Sequence, residues 1–194
     1  MTERLKNELD NIWAKLQQAG VGTGDHNDPN QRLGVLVPIG MIGSGKTTVA
    51  KYFLEKGWLM AYEDLLIRSF HGGEYDYLNS LKYHYLNIMA DVAAYWIGQG
   101  YSAITDSTNH TKERRKNVIE RLAQVRGRDS IYVIGIEMPK MDAAFHANMR
   151  IGTNTRGYAV ERWKNVAAEH DAEYEALTDD EGFDLVVHLP NVFS

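Results

Sequence analysis

Eight residues, Gly40-Met41-Ile42-Gly43-Ser44-Gly45-Lys46-Thr47, constrain this chain more than any other stretch. They match the spacing G-x-x-x-x-G-K-[ST] in full. They follow an apolar run at 33–39 and precede a helical pattern at 47–56, where a phosphate cradle belongs. Glycines let the backbone curl so that successive N–H groups point inward, where a side chain would block a phosphate oxygen. The helix that follows offers its positive N-terminal end to the same anion. Lys46 brings a mobile charge to the β- and γ-phosphates, and Thr47 a hydroxyl to Mg²⁺. A nucleoside triphosphate is therefore expected on Gly40, Gly43, Ser44, Gly45, Lys46, Thr47 and Thr48.

Around this motif, strand and helix signals alternate. Leu5, Leu9, Ile12, Trp13 and Leu16 recur at helical spacing and stop at Gly20. A polar, turn-rich linker follows, so residues 1–31 read as an N-terminal helix and linker and residues 32–194 as one domain. Strands are expected at 33–39, 58–62, 101–105, 130–137 and 184–189. Helices are expected at 47–56, 63–70, 76–99, 112–126, 141–150 and 160–177. The 76–99 helix places Leu78, Leu81, Tyr85, Ile88, Val92 and Tyr95 on one face. Such alternation builds βαβ units, and the expected fold is an α/β three-layer sandwich around a central parallel sheet.

Composition excludes several classes. Of 194 residues 44% are hydrophobic and 24% charged, as in ordinary soluble domains. No apolar run approaches the roughly 18 residues of a membrane span, and the N-terminus carries no signal-peptide pattern. The absence of cysteine removes disulfides, thiolate metal sites and thiol nucleophiles. A cytoplasmic location without membrane association is the expectation. The net charge of -5 hides an asymmetry: all lysines and arginines lie at or before Lys164, and eight of the 26 acids follow it. Residues 1–164 thus hold 21 basic against 18 acidic side chains, which permits a polyanionic ligand.

The second half of the site begins where 101–105 ends. Asp106 stands at the C-terminal end of that strand, where parallel sheets gather ligand-binding groups, and an acid there commonly holds Mg²⁺ through water. Asn109 and Arg115 follow as groups able to orient substrate or phosphate.

The stretch Asp106-Ser-Thr108-Asn109…Glu113-Arg114-Arg115, with the glycine-rich motif upstream and Glu181-Gly182-Phe183-Asp184 near the end, resembles the 5′-hydroxyl polynucleotide kinase family and its P-loop kinase relatives. The resemblance spans most of residues 34–188. It implies a P-loop kinase fold, ATP and Mg²⁺, and γ-phosphoryl transfer to an alcohol. It also implies a general base just after the second strand, where Glu63 and Asp64 stand, with Asp64 favoured and Arg68 as a substrate contact. Arg150 and Arg156 correspond to arginines that fold over the triphosphate. The family often has Val-Pro after this lid, where Val160-Glu161 stands here.

Other features read as structure. Tyr75 and Tyr77 fit the cover of a helix start better than a base-stacking platform. The run Lys112, Arg114, Arg115, Lys116 reads as a solvated face apart from Arg115, and the seven histidines lack metal-ligand spacing. Three functions remain: a kinase acting on a nucleic-acid hydroxyl, at a 5′ end or on a hydroxymethylated base; a small-molecule or nucleoside kinase; and a nucleotide-dependent switch that docks a partner. The acceptor, the choice of ATP over GTP and the oligomeric state stay open.

Overall fold

The computed structural model describes residues 1–22, 32–153 and 159–191. Five strands, β1 (Leu33–Ile39), β2 (Leu59–Tyr62), β3 (Ala103–Asp106), β4 (Ile131–Glu137) and β5 (Leu185–His188), form one sheet in the order β2-β3-β1-β4-β5. Every pairing is parallel. All seven residues of β1 are buried, as a strand flanked by two neighbours and covered on both faces must be.

Period-two alternation sorts the side chains of β1 into two cores. Leu36 points to one face, where it meets Val49, Ala50 and Phe53 of α2 (Lys46–Leu54) and Leu5, Leu9, Ile12 and Leu16 of α1 (Glu3–Gln18). Leu33, Val35, Val37 and Ile39 point to the other, against α4 (Lys82–Gly98) and α5 (Lys112–Arg126). Helices on both faces of a parallel sheet make a three-layer α/β sandwich. A third, smaller core joins Ile42 to α6 (Ala143–Gly152) and α7 (Val160–Glu173) through Ala147, Trp163 and Ala167.

Thr2, Thr111 and Asp142 cap α1, α5 and α6 by accepting from backbone N–H groups three residues on. The expected strands lie within two residues of the observed ones. Two helices differ. Instead of a helix from 76, a single 3₁₀ turn (Asn79–Leu81) precedes α4. The buried face of α4 is Tyr85, Leu86, Met89, Ala90, Ala93, Ala94 and Ile97, while Ile88 and Tyr95 are exposed. Small alanines let α4 approach the sheet, and pattern counting weighted the larger residues on the outer side. The expected 160–177 helix ends at Glu173, because residues beyond it leave to bond elsewhere: Glu175 N–H donates to His110 O at 2.9 Å.

Candidate active site

At the C-terminal end of the sheet lies a cavity of about 740 Å³. Gly43, Gly45, Lys46, Thr47 and Thr48 line one part of it, and Glu63, Asp64 and Asp106 another. Arg150 from α6 and Trp163 and His170 from α7 border it as well.

The loop before α2 has the shape its glycines permit. Gly45, the N-cap of α2, has φ +93 and Gly43 φ +67, values that side chains resist. A Cβ on Gly43 would stand 2.9 Å from the carbonyl oxygen of His146 and 3.1 Å from the backbone nitrogen of Arg150. Lys46 Nζ donates to the Met41 carbonyl at 2.6 Å, across its own loop. Gly40 and Ser44 do not line the cavity: the Gly40 N–H donates to Thr108 O at 3.0 Å, and Ser44 is buried.

The carboxylates of Asp106, Glu63 and Asp64 line this cavity. Asp106 ends β3, the neighbour of β1, and its carboxylate accepts from Thr47. Its other oxygen, Oδ2, is buried without a hydrogen-bond partner among the described residues. Burial pushes the Asp106 carboxyl up to about 6, Lys46 and Thr47 oppose this, and the charges of Asp64 and Glu63 add to it. Glu63 and Asp64 open α3 (Glu63–Phe70) directly after β2. Glu63 is buried and accepts from the Ser107 hydroxyl at 2.7 Å. Asp64 is partly exposed and pairs with Arg150 at 3.4 Å. The Arg150 guanidinium also lies 5.0 Å from the centre of the Trp163 ring.

The site fits Mg²⁺ in the way that ion is usually held, by one or two protein oxygens and the phosphates of a nucleotide. Thr47 and Asp106 would be its protein ligands, and the orphaned Oδ2 is the atom a cation would satisfy. The described residues contain no cluster of three or more acids and histidines of the kind a metal held by protein alone would need.

Three expected contacts fall elsewhere. Arg68 does not line the cavity; it donates to Gly73 O at 3.2 Å and lies over Tyr75, holding the 71–75 turn. Asn109 is fully buried and donates to Pro38 O and Thr105 O. Arg115 is fully buried, and the five N–H donors of its guanidinium all have protein acceptors. Two go to Glu181, and the others to the carbonyls of Asn109, Glu175 and Ala176. It has no donor left for a substrate. Arg156 lies outside the described residues.

The structure brings other residues in. Arg114, one position before Arg115 and about 100° round the helix, lines the cavity and donates to Thr108 Oγ1 at 3.1 Å. Tyr75 and Tyr77 line it too, on a segment that is not a helix start, together with Lys82 and Arg162. Burial raises the Tyr77 phenol well above its usual range. No periodicity marks these residues in the sequence; the tyrosines and the basic run around Arg114 were its local signals.

No family model and no curated protein matches the chain. Solved structures do. A fungal RNA kinase is 20% identical with a TM-score of 0.53, over 81% of this chain and 74% of its own. A presumed kinase from Chloroflexus aurantiacus reaches a TM-score of 0.61 at 13% identity, over 81% and 89%. A gluconokinase from Sinorhizobium meliloti gives 0.52 at 15%, over 80% and 81%. At these identities the likeness is one of fold.

Proposed function

We propose that the chain is an ATP-dependent kinase that transfers the γ-phosphoryl group to an alcohol carried by a nucleic acid. The observation that supports this reading is that one cavity holds the glycine-rich cradle with Lys46, a Thr47–Asp106 pair, and a carboxylate, Asp64, paired with Arg150. A nucleotide switch has no use for a base on the acceptor side. Lys82, Arg114 and Arg162 add positive charge to the wall with Tyr75 and Tyr77, which suits a phosphodiester and its base.

In this reading Asp64 accepts the proton of the acceptor hydroxyl, whose oxygen forms the new bond to the γ-phosphorus as the bond to the β–γ bridging oxygen breaks and ADP takes the electron pair. Before transfer, Asp64 and Arg150 hold one another. Substrate draws Arg150 to the phosphates and leaves Asp64 to the hydroxyl. Lys46 moves from the Met41 carbonyl to the β- and γ-oxygens. Bound Mg²⁺ supplies neutralisation of phosphate charge. Catalysis is then mainly positioning and electrostatics.

The test uses γ-labelled ATP with 5′-hydroxyl DNA and RNA, duplex bearing hydroxymethylated bases, and a pool of nucleosides and sugars. Label on a nucleic acid, absent in Lys46→Ala and Asp64→Asn, is the expected result. Label confined to the small-molecule pool removes the nucleic-acid acceptor, and the gluconokinase likeness gives that outcome a structural precedent. Nucleotide binding without transfer favours the partner-docking switch.

A further inference from the structure

Behind the cavity wall, the chemistry above leaves unused a buried polar hub made of Asn109, Arg115 and Glu181. Its contacts tie together the two strands that carry the site. The β1–β3 ladder pairs Val35 with Ala103 and Leu36 with Ile104. Beyond it, β1 runs into the glycine-rich loop and β3 into Asp106. There Asn109 Nδ2 donates to both ends, to Pro38 O at 3.0 Å and Thr105 O at 3.2 Å. One side-chain amide thus continues the join where backbone pairing has stopped. A second link, Gly40 N–H to Thr108 O at 3.0 Å, lies beside it.

Asn109 does this at φ +46, the one positive value outside glycine among the described residues. Asparagine tolerates that region better than most residues, yet it still needs support. Arg115 supplies it by donating Nη1 to the Asn109 carbonyl at 3.0 Å. Arg115 is fixed in turn by both oxygens of Glu181 and by the carbonyls of Glu175 and Ala176, and Thr178 N–H holds Glu181 at 2.9 Å.

We propose that Asn109, Arg115 and Glu181 are positioning residues that hold Asp106 at its distance from Thr47 and thereby set the affinity for Mg²⁺. The proposal rests on the kinase reading only in taking Thr47 and Asp106 as the protein ligands. Mg²⁺ demands near-ideal octahedral geometry with short bonds, so a small drift between two strand ends is felt at the ion before it is felt elsewhere. Residues behind a ligand typically alter metal affinity about 10–100-fold when removed.

Asn109→Gly keeps the positive φ accessible and deletes only the amide. Binding of a fluorescent ATP analogue is titrated with Mg²⁺, direct Mn²⁺ binding is followed by EPR, and circular dichroism checks the fold. The expected result is a half-saturating Mg²⁺ concentration raised about tenfold, with nucleotide affinity in EDTA unchanged. Arg115→Lys and the milder Glu181→Gln shift the same reading in the same direction, which covers a failure of Asn109→Gly to fold. A folded variant with unchanged Mg²⁺ and Mn²⁺ dependence overturns the proposal, as does an effect confined to acceptor KM. Wild-type protein that binds nucleotide without Mg²⁺ dependence overturns the kinase reading instead.

Discussion

Asp106 carries a cost in the ligand-free protein that the proposed Mg²⁺ site would relieve. Burial raises its folded carboxyl to about 6 against an ordinary 3.8, so the folded state holds the proton more tightly. Stability from this group is complete below the unfolded value and is lost as pH rises through about 6. Asp106→Asn is therefore expected to raise the Tm of the nucleotide-free protein at pH 7.5 and to change it little at pH 4, by differential scanning fluorimetry. The same variant loses Mg²⁺-dependent nucleotide binding. Asp64→Asn is expected to lower kcat about 10²–10⁴-fold, the usual worth of a general base, with nucleotide affinity kept. Quenched-flow and equilibrium binding separate the two. Motif and position singled out Lys46, Thr47, Asp64 and Asp106, and the structure places all four on the lining of one cavity. Of the two neighbouring arginines it is Arg114 that lines the cavity while Arg115 is buried behind it, and a basic run does not say which of two neighbours on a helix faces inward.

Among the elements, α6 and α7 stand apart, since they pack on the glycine-rich loop itself through Ile42 rather than on the sheet. Gly43 is the contact point. Gly43→Ala would place its Cβ against the backbone of α6 at a φ that costs roughly 1–2 kcal/mol. The expected outcome is nucleotide affinity weakened at least about tenfold and a lower Tm, read by titration and melting. The docking of α7 has a second component: His110 and His170 stack with ring centres 4.3 Å apart. Burial lowers His110 to about 3 and holds His170 well below its usual value, with nearby cations adding to both effects. Their stabilising effect is present above the unfolded value of about 6.5 and falls away as the pH drops toward 3. His110→Gln is expected to flatten the fall in Tm between pH 6.5 and 5. Neither contact was legible beforehand, because a stack of residues sixty positions apart leaves no local pattern.

For the whole molecule, the order of elements was readable and their arrangement was not. Alternating strands and helices imply a parallel sheet, but the order β2-β3-β1-β4-β5 depends on crossovers that no periodicity records. The tail after Glu173 shows the same limit, having left its helix for the hub around Arg115. The first helix buries Leu5, Leu9, Ile12 and Leu16 in the same core as Phe53 and Trp58, and Asp10 accepts from Tyr52 at 2.7 Å. Each such side chain is worth about 1.5–3 kcal/mol on burial, a large share of the stability of a domain this size. Removal of residues 1–18 is expected to lower the Tm by at least about 10 °C or to cause aggregation, seen by melting and size-exclusion chromatography.

The placement of Trp163 has a practical consequence. Of the four tryptophans, Trp13 and Trp58 belong to the core under α1 and Trp96 packs beside Tyr95 and Tyr101; only Trp163 lines the cavity. Its indole lies beneath the guanidinium that the proposed reaction draws toward the phosphates. Its emission should change each time Arg150 leaves, while the other three contribute a steady background. The unmodified protein thus contains its own dye, and a stopped-flow fluorimeter can time the arginine's departure separately from the chemistry that follows.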